Sequence, residues 1–241
     1  MSEWWTYRPS DLLMFSPETY YRLFELYNRD LWPLHLLSIA AGIALLVTLL
    51  SDRPAWRGRL LASVLALAWA WVAWAFLLER YATINWAAKW LALGFGLQAL
   101  LLLSGALARN GLDPERPERW KTRGGISLAA FAVLVQPLVG PLLGRSWNQA
   151  ELFGLAPDPT VVATLGVVVL ARSGFWRAVL LPIPLLWCAI SGTTLRTMGS
   201  PDWVVLPVAG VVAIVLAWPG GEGRDKGELP HVRGGTYDRF S

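Results

Sequence analysis

Seven stretches of this chain, at about residues 31–50, 60–78, 90–107, 125–142, 159–171, 178–195 and 203–218, contain no Asp, Glu, Lys or Arg and are dominated by Leu, Ala, Val and Trp. Runs of this length without an amphipathic period suit helices that meet hydrocarbon or one another, because a spanning helix satisfies every backbone hydrogen bond internally. The expected fold is therefore all-α: a polytopic transmembrane helix bundle of about seven spans in a lipid bilayer. Overall 55% of the 241 residues are hydrophobic and 16% charged, with the charges gathered between the runs. Three regions follow: an outward amphipathic segment at 1–30, the bundle at 31–218, and a Gly-rich flexible tail at 219–241.

Basic residues set the expected threading. The connections at 51–59, 108–124 and 172–177, with the tail, hold fourteen of the twenty-one Lys and Arg. The positive-inside rule assigns them to the cytoplasm, and an odd number of spans then leaves the N-terminus outside. The start Met1-Ser2-Glu3 lacks a basic region and a cleavage site, so no cleaved signal is expected. Arg dominates the basic residues, which, with much Ala, Leu and Trp, reads as a GC-rich bacterial genome and hence an inner membrane. The segment at 160–171 is short, about 18 Å at 1.5 Å per residue against a hydrocarbon core of about 30 Å. Its start is expected to use Asp158 as N-cap and Pro159 as first helical residue. Trp56-Arg57, Trp120-Lys121 and Trp176-Arg177 each open an inside-to-outside hairpin, which is compatible with an internal repeat or with ordinary interfacial Trp-base pairs.

The stretch SPETYYRLFELYNRDLWPLH at 16–35 is built differently. Ser16 suits an N-cap ahead of Pro17, and Tyr20, Leu23, Phe24, Tyr27 and Leu31 recur at helical spacing. Glu18, Arg22, Glu25 and Arg29 occupy another face. This is an amphipathic helix at the outer surface, acting as an interfacial anchor or as a lid over an outward cavity. The preceding WWTYRPSDLLMF suits a headgroup-level anchor.

The outward connection ERYATINWAAKW concentrates Glu79, Arg80, Tyr81, Asn85, Trp86 and Lys89 between the second and third runs. Aromatic belts explain its Trp and Tyr but do not require Asn85 or Lys89. RSWNQAELFGLAPDPT and LRTMGSPDW are further outward connections. The stretches WWTYRPSDLLMFSPETYYRLFELYN, RYATINWAA and LFGLAPDPT resemble those of a family of small bacterial multi-span membrane proteins of unknown function. That resemblance implies no activity. It marks the outward stretches as the distinctive part.

Inside the runs, polar groups are limited to uncharged side chains such as Gln98, Gln136 and Ser191, which hydrogen-bond between helices more often than they bind solute. Prolines at 137, 141, 182, 184 and 207 break the backbone ladder of the fourth, sixth and seventh runs. Ala62, Ala66 and Ala70 form a small-residue stripe, and Trp69, Trp71 and Trp74 line either an aromatic pocket for an apolar ligand or gaps between helices. His35 and His231 share no partner for a metal, the single Cys188 lies in an apolar run, and no phosphate-binding or nucleophile motif is present. No catalytic residue, metal, cofactor or nucleic acid is expected. The function expected is a small-solute permease or binding protein without ion coupling, its vestibule drawing on Glu79, Arg80, Tyr81, Asn85, Trp86, Lys89, Trp69 and Trp71. The alternative is an accessory or assembly subunit of a larger membrane complex, or a homo-oligomer, and less favoured is a lipid or quinone enzyme.

Overall fold

The computed structural model describes residues 15–51, 54–108, 112–114, 118–172 and 174–218. Residues 4–14 of the anchor expected at 4–15, and the tail from 219, lie outside the described residues. Among the described residues the secondary structure is helical, with one isolated bridge between Pro114 and Ala171. The helices are α1 (Pro17–Asp30), α2 (Leu34–Leu50), α3 (Pro54–Trp71), α4 (Ala88–Leu107), α5 (Arg119–Ala130), α6 (Gln136–Leu142), α7 (Pro157–Val168), α8 (Gly174–Leu180), α9 (Pro182–Thr197) and α10 (Val205–Ala217).

Two helices run on through wide π turns, α3 into Val72–Leu78 and α5 into Phe131–Val135. The second has a visible cause. Pro137 has no N–H for the carbonyl four residues back and its ring crowds that carbonyl, so the ladder shifts register just ahead of it. α8 and α9 meet at a break before Pro182. Pro184 likewise cannot donate to the carbonyl of Leu180, and Gln98 of α4 supplies the missing donor, Nε2 to Leu180 O, 3.0 Å. This Gln therefore repairs a proline-broken helix.

Among the described residues, four helices are long and apolar enough to cross a membrane: Trp56–Thr83, Ala88–Leu107, Arg119–Leu142 and Gly174–Thr197. α1 and α2, bent by 95°, make a fifth if counted as one span. The difference from about seven lies in the short apolar elements. All twelve residues of α7 are buried within the chain's own helices, with α3, α5, α9 and α10 packed around it. Its hydrophobicity is that of a protein core. α10 has 13 residues.

α5 and α7 approach with backbones in contact. A Cβ on Gly166 would lie 2.6 Å from Ala129 N and from Gly125 O, and one on Gly125 would lie 2.9 Å from Gly166 O. Ala62 and Ala66 of the α3 stripe are buried, while Ala70 is exposed. Two bases terminate helices: Arg57 Nε donates to Thr48 O near the end of α2 at 3.0 Å, and Lys121 Nζ to Trp218 O just past α10 at 3.2 Å. Cations at helix C-termini oppose the negative end of the dipole.

Candidate functional site

α1 forms as its sequence dictates. Ser16 Oγ accepts from Thr19 N at 3.3 Å, Pro17 opens the helix, and Tyr20, Leu23, Phe24 and Tyr27 form the buried face. On the charged face Arg22 meets Glu25, three residues on, at 2.5 Å. The buried face packs on the wide turn of α3, with Phe24 and Tyr27 at 4.8 and 5.4 Å from Phe76 between ring centres. Polar groups then tie α1 across the loops. Tyr27 OH donates to Leu155 O at 3.1 Å, Asn28 Nδ2 to Asn148 O and Ala150 O at 2.9 Å each, and Tyr21 OH shares a 2.6 Å hydrogen bond with Ser200 Oγ. His35 meets Asn28 Oδ1 at 3.3 Å. α1 is a strap over one end of the bundle.

Beneath the strap is a cavity of about 220 Å3 between α1, the α3 wide turn, the start of α4 and α9. Tyr20, Phe76, Tyr81 and Trp187 give it aromatic walls, and Asn85, Ser191 and Thr194 give it polar groups. Two of these lining residues reach further in. Trp187 Nε1 donates to Asp158 Oδ1 at 2.7 Å, and Ser191 Oγ donates to the same carboxylate at 3.0 and 2.9 Å. The expectation that Asp158 is the N-cap of α7 is thereby corrected. Ala156 is the cap residue and Pro157 the first helical residue, because the Asp158 carboxylate is engaged by α9.

On the other side of Asp158 lies a second, smaller space of about 20 Å3, lined also by Gln136, Arg145, Glu151 and Asp202. Among the described residues Arg145 is the only base lining it. Its Nη2 meets Asp202 Oδ2 at 2.5 Å, its Nη1 lies 3.5 Å from Glu151 Oε1, and its guanidinium stacks 4.7 Å over the Tyr21 ring. Ser200 Oγ also donates to Asp202. Gly140 makes room for this arrangement, since a Cβ there would lie 2.7 Å from Arg145 Nε. Glu151, Asp158 and Asp202 are 9%, 3% and 8% exposed. Burial pushes the Glu151 carboxyl up, to about 8; the Asp158 charge adds to the push and the Arg145 guanidinium opposes it. Among the described residues, no group of three His, Cys, Asp or Glu side chains could hold a metal ion.

The residues expected to form a vestibule separate in space. Tyr81 and Asn85 line the aromatic cavity. Glu79 and Arg80 line a neighbouring open groove of about 490 Å3 with Glu18 and Arg22 of α1, and Arg80 pairs with Asp30 at 2.8 Å. Trp86 and Lys89 are exposed beside Asn85 and Ala88. Trp69 is wholly enclosed, its Nε1 donating to Thr164 Oγ1 at 2.7 Å and its ring 4.2 Å from Phe95, which in turn lies 4.9 Å from Trp187. Trp71 donates to Tyr27 OH at 3.1 Å and borders an apolar cleft of about 340 Å3.

Sequence reading overlooked Arg145, Glu151, Asp158 and Asp202 as a group. They sit in the connections flanking apolar runs, where a charge looks solvated. The one available signal was Ser191, which shares its apolar run with the hydroxyls of Thr193 and Thr194 and does not stand out from them, and its carboxylate partner is 33 positions away on another helix.

The model of a family of unknown function, DUF6064, matches residues 17–221, and the chain belongs to that family. No curated protein and no solved structure matches it.

Proposed function

We infer the role of this DUF6064 member from its own geometry: an integral membrane protein that binds a small solute in the aromatic cavity beneath α1, as a permease or binding protein. The observation that carries this reading is the cavity itself, whose polar wall, Ser191 and Trp187, is backed by the buried Asp158 carboxylate. Convergent polar groups in a mainly aromatic hollow are the usual make-up of a ligand site. Its volume of about 220 Å3 is below the range of about 300–1,000 Å3 typical of drug-sized ligands, so the solute is small. Tyr81 and Asn85 contact it, and the Glu79–Arg80 groove provides its approach. We infer further a bacterial inner membrane with the α1 end outward, a reading supported by the basic residues gathered on the opposite connections.

Native mass spectrometry of the protein released gently from its own membrane tests this. A retained small molecule, lost on Ser191→Leu, is the expected result. A foreign subunit at fixed stoichiometry, with no small molecule, would replace this reading with that of an accessory subunit of a larger complex.

A further inference from the structure

We propose that the enclosed cluster of Arg145, Glu151, Asp158 and Asp202 is a proton-binding site, with the proton held on Glu151 and coupled to occupancy of the solute cavity. The coupling, but not the proton site, depends on the solute reading above.

Charge balance requires a bound cation of some kind. Three carboxylates and one guanidinium share a region from which water is largely removed, and fully ionised they would leave two negative charges without a counter-ion among the described residues; one proton removes one of them, and the other, on Asp158, is met by the Trp187 and Ser191 donors. Burying an unpaired charge is so costly that such a group neutralises instead. Among the described residues, the neighbouring titratable groups do not relieve the excess. They are the phenols of Tyr20 and Tyr21 on α1, that of Tyr81, and the Cys188 thiol on α9, all uncharged at neutral pH.

Hydrogen bonding says where the proton goes. Asp202 is held by Arg145 and by the Ser200 hydroxyl, and Asp158 by the indole of Trp187 and the hydroxyl of Ser191. Donors to a carboxylate favour its charged form. Glu151 has the long 3.5 Å approach of Arg145. Gln136 is 8% exposed, lines the same space, and has an amide oxygen with no hydrogen-bond donor among the described residues. A protonated Glu151 carboxyl provides that donor, directly or through one water. The space of about 20 Å3 is large enough for a single water, which needs roughly 10–15 Å3.

Coupling runs through Asp158. Both side chains that donate to it also line the solute cavity, so a solute that engages the Ser191 hydroxyl withdraws a donor from the Asp158 anion. Asp158 then holds a proton more tightly, and the cluster's proton occupancy changes with solute binding. By linkage, pH changes solute affinity to the same extent.

The proton itself is the probe. Infrared difference spectroscopy of the full chain in liposomes, between pH 7 and pH 9, where Asp158 is ionised, should show the carbonyl band of a buried protonated carboxylic acid at the lower pH and its loss at the higher. Glu151→Gln should abolish that band, and Glu118→Gln, an exposed control, should leave it. Persistence of the band in Glu151→Gln, or its absence from the wild type, overturns the proposal. Should Glu151→Gln fail to fold, the wild type grown on carbon-13 glutamate decides: the titrating band shifts with the label if a glutamate carries the proton, and an unshifted band rejects it. The two readings fail separately. A titrating Glu151 with no retained solute removes the solute reading alone, and a retained solute without the band removes the proton site alone.

Discussion

At the scale of single residues, Arg145 holds the site together. Its guanidinium contacts two buried carboxylates and the Tyr21 ring, so replacing it leaves acidic groups buried without a counter-charge. Breaking a buried ion pair from one side costs about 3–5 kcal/mol. Arg145→Met is expected to lower the denaturation midpoint in detergent by an amount of that order, and an unchanged midpoint would mean that the cluster is open to water. The pH dependence follows from Glu151. Its folded-state value of about 8 lies above the ordinary value of 4.5, so between these values the folded protein binds more protons than the unfolded chain. The contribution of Glu151 to stability is then fully present below about pH 4.5 and is lost as pH rises through about 8. Thermal midpoints measured from pH 5 to pH 9 should fall, and Glu151→Gln should flatten the slope. Little of this was legible in the sequence. Asp158 and Asp202 look like loop residues next to proline, and only the packing of α9 on α7 turns Ser191 and Trp187 toward Asp158.

At the scale of elements, the proline breaks and glycine contacts decide how the helices meet. Gln98 looks like a generic polar residue in a span, yet it supplies the donor that Pro184 withholds from Leu180 O. Leaving a buried carbonyl without a donor costs about 1–3 kcal/mol. Gln98→Leu should therefore destabilise by that much in the wild type and by less in a Pro184→Ala background, where the helix can make its own bond. A double-mutant cycle reads the difference directly, and equal costs in both backgrounds would separate Gln98 from the break. α1 was the most legible element, because Ser16-Pro17 and the spacing of its aromatics both point to one helix with one buried face. Whether that face met lipid or protein was not legible, since both reward the same residues. The glycines of α5 and α7 were equally silent. Gly166→Ala would force the two backbones apart, and overpacking of this kind costs about 1–3 kcal/mol. A loss of folded yield at 30 °C relative to Gly94→Ala, where a Cβ meets open space, checks it.

At the scale of the whole molecule, hydropathy marks what avoids water without saying whether lipid or protein replaces it. α7 reads as a span by composition, yet its twelve residues rise about 18 Å, well short of a hydrocarbon core of about 30 Å. Inside a ring of α3, α5, α9 and α10 it has no need to reach either surface, and it can present Asp158 at one end without exposing a charge to lipid. The tryptophans make this arrangement measurable. Trp69 is enclosed against Thr164 of α7, whereas Trp74 and Trp90 are 54% and 69% exposed on the outer faces of the same bundle. In liposomes containing brominated phospholipid, which quenches indoles in contact with acyl chains, Trp74→Phe and Trp90→Phe should each reduce the quenchable share of the fluorescence. Trp69→Phe should raise that share, because it removes an emitter that lipid cannot reach. If losing Trp69 lowers the quenchable share as much as losing Trp90 does, the α3–α7 contact is open to lipid, and a helix as short as α7 could not then shelter the buried carboxylates behind it.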